Sequence, residues 1–290
     1  MPYATTTDQV RLHYEDTGSG TPILFVHEFA GDHRSWEPQV RYFSRTHRCI
    51  AYSARGYTPS DIPDSPDAYT YRHFMNDAVA VLDHLKIAKA HLVGLSMGGY
   101  SVLQLGLNHA DRALSLTIAG CGSGSERWFT DEFRRGAQAT AEQFETLGSA
   151  AVARTYGLGP GRVPFLIKDP RGYQEFNDQF AQHDARGSAN TMRGFQGGRP
   201  SVYDFEGAIR RITLPALIVV GDEDDLCIEP SLFLKQWIPA SGLVMFPRTG
   251  HAVNLEEPDL FNRSVADFLT RAEAGRWDSR DPRSLRPSQP

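Results

Sequence analysis

Cysteine is scarce in this chain of 290 residues, and the three that occur form no Cys-x-x-Cys pair. Cys49, Cys121 and Cys227 are too few and too widely spaced to build a disulfide framework or a zinc knuckle. We therefore expect them to be buried apolar side chains. The N-terminus also lacks the basic and apolar segments of a signal peptide. These absences predict a cytoplasmic location.

Long apolar runs and an excess of positive charge are missing as well. No run approaches the roughly 18 apolar residues that a membrane-spanning helix needs. The net charge is −5 and the isoelectric point about 6.1, so the chain as a whole does not attract nucleic-acid phosphates or anionic membranes. We expect a small-molecule substrate as partner, no nucleic acid and no membrane, and a monomer or homodimer.

Apolar runs of strand length alternate with helical patterns along most of the chain. Residues 22–26, 49–52, 116–119 and 216–220 are such runs, which are typical of strands buried on both faces of a parallel sheet. The segment 74–85 instead has its apolar residues on one helical face. The alternation predicts an α/β fold with a doubly wound, mostly parallel sheet.

One long stretch, residues 122–203, lacks any buried-strand pattern. It contains helical patterns, many aromatic residues and Gly/Pro-rich breaks, and a structureless loop of this length is unusual in a compact domain. We predict a helical cap inserted over the sheet, with residues 1–121 and 204–272 forming the core. Residues 273–290 are rich in arginine, aspartate, serine and proline, which predicts a disordered tail.

The clearest chemical motif is Gly-Leu-Ser-Met-Gly at residues 94–98. It follows a predicted strand and precedes a predicted helix, so Ser96 would occupy the sharp turn between them, with its hydroxyl group raised above the sheet edge. The Met97 amide would lie at the helix N-terminus, where the helix dipole favours developing negative charge. The motif therefore predicts a serine nucleophile.

Together with four other segments, this motif resembles the α/β-hydrolase family over about residues 10–269. The segments lie, in chain order, at residues 27–31, 53–61, 94–98, 221–225 and 250–252. They are similar to the family's oxyanion turn, Arg-Gly turn, nucleophile elbow, acid turn and histidine turn, respectively. The resemblance implies an α/β-hydrolase fold with an inserted helical cap, in the serine esterase and lactonase branch.

The resemblance also implies a catalytic triad of Ser96, Asp224 and His251, in the family's chain order. His251 would accept the Ser96 proton and return it to the leaving group. Asp224 occupies the fourth position of the acid turn, and Asp225 is the second choice. The segment 120–124 offers no carboxylate that could take this role.

Glu28 departs from the family pattern, which has glycine at this position. The backbone amides of Phe29 and Met97 would form the oxyanion hole, and a nearby carboxylate opposes a second anion unless it is turned away, protonated or paired. Two interpretations stay open. Glu28 either turns outward or pairs with a base such as Arg55, or it lines the pocket and takes part in substrate selection or catalysis. We expect His27 to orient this turn.

Residues 27–31 also resemble the start of a zinc-binding His-Glu-x-x-His motif. Gly31 stands where the second histidine would be, and the segment ends a strand instead of lying on a helix. We therefore predict neither a metal nor another cofactor. Ser53 replaces the aspartate usual in the family's Arg-Gly turn, and we expect this to change local hydrogen bonding only.

Candidate pocket residues come from the cap and the oxyanion turn. They are His27, Glu28, Trp128, Phe129, Arg193 and Arg199. The two cap arginines are also candidates to bind a substrate carboxylate. The predicted function is a serine hydrolase that cleaves a small carboxylic ester or lactone through an acyl-enzyme intermediate. A carbon–carbon bond hydrolase, a cofactor-free perhydrolase and a non-catalytic small-ligand receptor remain alternatives.

Overall fold

A computed structural model describes residues 1–285 and places a central sheet of eight strands in them. The strands are β1 (Tyr3–Thr5), β2 (Arg11–Gly18), β3 (Pro22–Val26), β4 (Arg48–Tyr52), β5 (Ala90–Leu95), β6 (Ala113–Ala119), β7 (Ala216–Gly221) and β8 (Ser241–Phe246). Their order is β1-β2-β4-β3-β5-β6-β7-β8. The pairs β1–β2 and β2–β4 are antiparallel and all the others are parallel. The predicted mostly parallel α/β sheet is confirmed.

From β3 onward, helices lie between successive strands in the chain. The α-helices are α1 (Glu37–Phe43), α2 (Tyr71–His84), α3 (Met97–Asn108), α4 (Thr130–Leu147), α5 (Ser149–Tyr156), α6 (Val163–Lys168), α7 (Pro170–Ala181), α8 (Ala185–Thr191), α9 (Glu206–Ile209), α10 (Asp225–Trp237), α11 (Val253–Glu256) and α12 (Pro258–Glu273). Short 3-10 turns cover His33–Trp36, Pro66–Tyr69, Ala110–Arg112, Pro160–Arg162, Val202–Phe205 and Pro282–Leu285, and a π-helical turn covers Met192–Gln196. Within residues 1–285, none of the helices is both long and apolar enough for a membrane crossing.

Alternate side chains of β3 enter two different hydrophobic cores. Leu24 and Val26 belong to the core that includes residues of α2 and α3. Ile23 and Phe25 belong to the core that includes residues of α1 and α12. Because side chains alternate across a strand, helices must cover both faces of the sheet. This double burial explains why the whole segment is apolar.

Helices α4–α8 lie between β6 and β7 in the chain, inside the segment predicted to form the cap. Their aromatic residues pack on the turn that follows β3. The ring of Phe29 makes edge-to-face contacts with Phe144, Tyr156 and Phe180, at centroid distances of 5.9, 5.6 and 6.0 Å. The apolar contact between this turn and the cap holds α4, α5 and α7 over the carboxyl ends of the strands.

Part of the segment expected to be disordered packs on the core instead. Trp277 Nε1 donates a hydrogen bond of 3.1 Å to the Ala240 carbonyl, and its ring lies 4.7 Å from the ring of Phe268. One aromatic side chain thus gives an otherwise polar segment an apolar contact that orders it. Residues 286–290 of the predicted tail lie outside the described residues.

Candidate active site

Ser96 lies in a strained turn between β5 and α3. Its φ of 56° and ψ of −112° place it where a non-glycine residue is rarely found. Only glycine fits at the two flanking positions. A Cβ at Gly98 would collide with the Val26 carbonyl, and a Cβ at Gly94 would collide with the backbone of Gly98. The Gly-x-Ser-x-Gly spacing therefore permits the turn, which sets Ser96 at the N-terminus of α3.

Asp224 and His251 follow β7 and β8, and their side chains are hydrogen-bonded. His251 Nδ1 lies 2.8 Å from Asp224 Oδ2. Because the carboxylate accepts, Nδ1 carries the donated proton, and Nε2 has a free lone pair when the ring is neutral. Burial opposes the charged ring, but the charge and hydrogen bond of Asp224, together with the charge of Glu28, raise the pKa of His251 above its ordinary value. Asp225, the second candidate for the acid, is exposed at the start of α10.

Ser96, Asp224 and His251 line a single cavity of about 440 Å³ between the core and the cap. The cap and the segments that flank it contribute most of the wall, through Phe129, Phe133, Tyr156, Arg162, Met192, Gln196 and Arg199 among others. Three larger clefts, one beside β2, one beside α2 and one at the C-terminal end of α2, contain none of the three residues. The cavity is therefore the place where a substrate would meet these groups.

Two backbone donors, one in the residue after Ser96 and one in the turn after β3, have no acceptor in the described chain. The N–H groups of Phe29 and Met97 donate to no other group within the described part of the chain. His27 fixes the turn that carries Phe29. The Ala54 N–H donates to His27 Nε2 over 3.0 Å, so Nδ1 holds the ring proton and donates to the Glu28 carbonyl over 2.7 Å. Burial lowers the pKa of His27 to about 4, which keeps this positioning ring neutral.

Glu28 is buried and paired, but with Arg162 and not with Arg55. Arg162 Nη1 donates to Glu28 Oε1 over 3.1 Å, and Nη2 donates to Oε2 in a second, shorter bond. Burial alone would raise the pKa of Glu28, but the Arg162 charge holds it below its ordinary value, so the carboxyl group is ionised. The suggested pairing of Glu28 with Arg55 is wrong, because the Arg55 guanidinium binds Asp8 and Asp77 instead.

The candidate pocket residues of the cap divide into two groups. Phe129 and Arg199 line the cavity. The structure corrects the other two. Trp128 is 74% exposed on the outside of the cap. Arg193 donates to both carboxylate oxygens of Glu145, over 2.5 and 2.7 Å, which holds its guanidinium on the surface. Neither Trp128 nor Arg193 lines the cavity.

Sequence reasoning missed Arg162 and Tyr156, which both line the cavity. Arg162 follows a Gly-Pro-Gly stretch that reads as a simple break. In the structure the carbonyl of Gly161 accepts the backbone N–H of His251 over 2.6 Å. A Cβ at Gly250 would collide with that carbonyl. Gly161 and Gly250 permit this close contact between the cap and the histidine turn. Their contact is not encoded in any short motif, so the sequence did not point to Arg162.

Two groups of side chains within the described residues have the spacing of metal ligands: His13, Glu15 and His33, and Asp224, Cys227 and His251. In the second group the Cys227 thiol donates to the Gly120 carbonyl over 3.3 Å. Burial raises the pKa of this thiol well above its ordinary value, which disfavours the thiolate that binds metals. The first group lies outside the cavity. Neither group brings a metal-ligating thiolate or a second histidine to the cavity.

Comparisons with known proteins identify the fold family. A family model described as the alpha/beta hydrolase fold matches residues 21–258. The 3-oxoadipate enol-lactonase 1 of Acinetobacter baylyi is 29% identical over 248 residues, which are 85% of this chain and 88% of that protein. The 2-hydroxymuconate semialdehyde hydrolase of Pseudomonas putida is 27% identical over 91% of this chain and 92% of that one. The solved structure of the enol-lactonase from Burkholderia xenovorans matches with a TM-score of 0.77 at 26% identity and covers 93% of this chain and 100% of that one. The chain belongs to the α/β-hydrolase fold family.

Proposed function

We propose that the protein is a serine hydrolase that cleaves a small carboxylic ester or lactone through an acyl-enzyme intermediate. The observation that carries the proposal is the hydrogen bond between Asp224 and His251 at a cavity that Ser96 also lines. The similarity to two proteins named as enol-lactonases supports a lactone or an ester as the substrate.

The reaction begins when Ser96 Oγ attacks the carbonyl carbon of the ester and His251 Nε2 accepts the hydroxyl proton. Asp224 stabilises the resulting imidazolium. The oxyanion of the tetrahedral intermediate accepts hydrogen bonds from the N–H groups of Phe29 and Met97. The carbon–oxygen bond to the leaving group then breaks, and His251 gives its proton to the departing oxygen. Water attacks the acyl-enzyme by the same steps, which releases the acid and restores Ser96.

The Glu28–Arg162 pair serves this chemistry through charge. A lone carboxylate beside the oxyanion turn would raise the energy of a second anion there. Arg162 neutralises it with a guanidinium that also lines the cavity. The reacting carbonyl therefore faces a pair without net charge, and the oxyanion forms without a neighbouring uncompensated negative charge.

A fluorophosphonate probe tests the nucleophile, because it reacts only with an activated serine. We expect the wild-type protein to be labelled and Ser96→Ala to lose the label. Ser101→Ala is the matched control, since Ser101 is a buried serine of α3 whose hydroxyl group only donates to the Met97 carbonyl. Ser101→Ala should be labelled like the wild type. A folded wild-type protein that takes no label would contradict the proposal.

A carbon–carbon bond hydrolase is the second candidate, because the 2-hydroxymuconate semialdehyde hydrolase is almost as similar as the enol-lactonase. A panel of p-nitrophenyl esters, simple lactones and vinylogous diketones separates the two. Turnover of esters or lactones supports the proposed function. Turnover of the diketones alone supports the second candidate, and saturable binding of the panel without turnover or labelling supports a receptor.

A further inference from the structure

Three arginines are buried among the described residues, and one of them lacks a carboxylate partner. Arg55 and Arg162 each form salt bridges with buried or partly buried carboxylates. Arg199 is 9% exposed and is in salt-bridge contact with no carboxylate of residues 1–285. A buried cation loses its hydration, so proteins almost always pair it. Arg199 is therefore a buried positive charge whose counter-ion is missing.

Arg199 lines the same cavity as Ser96 and His251. Its guanidinium carbon lies 4.8 Å from the ring centre of Tyr100 and 5.4 Å from that of Phe133. These aromatic rings hold the planar group by cation–π attraction but supply no negative charge. The side chain is thus held in one place on the wall of the cavity before any ligand arrives.

Most of the hydrogen-bonding capacity of Arg199 is unused. Nη2 donates to the Ser123 carbonyl over 2.6 Å, and Nε is 3.4 Å from Gln196 Oε1. A guanidinium has five N–H donors, so several have no protein acceptor within the described chain. Both neutral partners are themselves cavity-lining residues. The free donors lie where a small ligand can reach them.

Glu126 is a buried carboxyl group whose charge acts on Arg199 from a distance. It does not serve as the counter-ion of Arg199. It is not in salt-bridge contact with Arg199, and its Oε2 has no hydrogen-bond partner within the described residues. Burial raises the pKa of Glu126 above its ordinary value. Because no carboxylate of the described residues is in salt-bridge contact with Arg199, Glu126 included, the Arg199 charge has no contact partner in the protein.

We propose that Arg199 binds a carboxylate of the substrate, so that the substrate is an ester or lactone that carries a free carboxylate group besides the scissile carbonyl. The planar fork of a guanidinium matches the two oxygens of a carboxylate, and a bond between two charged groups is stronger than a neutral one. A neutral substrate would exclude water from Arg199 and supply no negative charge to balance the guanidinium. The inference rests on the proposed function, because it assigns the substrate class of the same cavity.

Two p-nitrophenyl esters of adipic acid test the inference. One has a free distal carboxylate, and in the other a methyl ester masks it, so they differ mainly in charge. We expect the wild-type kcat/KM to be higher for the free acid by about tenfold or more. Arg199→Gln should bring this ratio close to one. Arg199→Lys keeps the charge but not the fork, and should give an intermediate ratio.

Arg193→Gln is the matched control, because it removes a cap arginine that lies outside the cavity and binds Glu145. Its ratio should equal that of the wild type. A wild-type ratio of one or less would overturn the inference while leaving the proposed function intact. An unchanged ratio in Arg199→Gln would overturn it equally.

Failure of the proposed function has a different result, namely that neither ester is hydrolysed and no fluorophosphonate label is taken. Calorimetric titration with the adipate dianion then tests Arg199 by itself. Binding to the wild type and to Arg193→Gln, with at least tenfold weaker binding to Arg199→Gln, supports the carboxylate site. Absence of binding to the wild type overturns it. Thermal unfolding of Arg199→Gln and Arg199→Lys checks that both variants are folded.

Discussion

Arg162 donates to both carboxylate oxygens of Glu28, so two residues 134 positions apart in the chain form one buried ion pair. Glu28 belongs to the turn after β3, and Arg162 ends a 3-10 turn of the cap. The pair lies beside His251, whose pKa responds to both charges. The ion pair therefore links the position of the cap and the charge at the oxyanion turn to the pKa of His251, the candidate base.

Arg162→Met should reveal how strongly the pair is coupled. It leaves a buried carboxylate without its partner, and breaking a buried pair in this way costs about 3–5 kcal/mol of the free energy of unfolding. The double variant Glu28→Gln with Arg162→Met should be more stable than Arg162→Met, because no isolated charge remains. Denaturant unfolding of the single and double variants measures the coupling. Arg193→Met, which removes an exposed pair, should cost less than about 1 kcal/mol, and additive single-variant effects would argue against the coupling.

Glu28→Gln should also move the pH profile. The Glu28 charge helps to raise the pKa of His251, and His251 must be neutral to accept the Ser96 proton. Activity is therefore lost as the pH falls through this pKa. Removing the negative charge lowers the pKa, so the acid limb of kcat/KM should shift to lower pH in Glu28→Gln. An acid limb that stays at the wild-type position would show that Glu28 has no effect on the base.

Asp224→Asn and Asp225→Asn should separate the two candidates for the acid. Asparagine at 224 has no negative charge to hold the Nδ1–H of His251 and stabilise the imidazolium, and comparable triad substitutions reduce kcat by about 10⁴. Asp225 is exposed, so Asp225→Asn should stay close to the wild-type rate. Steady-state kinetics on a p-nitrophenyl ester measures both. A loss that is larger in Asp225→Asn would reverse the assignment.

Ser96→Gly should be inactive yet more stable than Ser96→Ala. Both variants remove the hydroxyl group, but only glycine adopts the positive φ of this turn without strain. Relief of such strain is worth on the order of 1 kcal/mol in the free energy of unfolding. Chemical denaturation of the two variants measures the difference. Equal stabilities would mean that the elbow stores no backbone strain.

The sequence motifs identified three side chains that the structure brings to one cavity, because each motif depends on short-range geometry. The Gly-Leu-Ser-Met-Gly spacing requires small residues where β5 turns into α3, and the apolar run at 22–26 requires burial on both faces. Such constraints act over a few residues and can be read locally. The positions of Ser96, Asp224 and His251 at the ends of β5, β7 and β8 follow from them.

The lining of the cavity depends on long-range packing that short motifs do not encode. Arg193 and Arg199 are alike in the sequence, yet Glu145 of α4 holds the first on the surface while the second lines the cavity. The partner of Glu28 depends on the same packing, since Arg55, the base closer in the chain, binds Asp8 and Asp77, and Arg162 lies 134 positions from Glu28. Trp277 shows the same limit, because composition cannot tell that one aromatic ring packs against Phe268.

The bond from the His251 amide to the Gly161 carbonyl makes the cap part of the histidine turn. The next residue, Arg162, simultaneously holds the oxyanion turn through Glu28. Any displacement of this 3-10 turn would release the backbone of the base and expose the Glu28 charge in the same movement. If the proposed function holds, hydrolysis requires a seated cap, and a ligand that displaced the cap would inhibit without occupying the cavity.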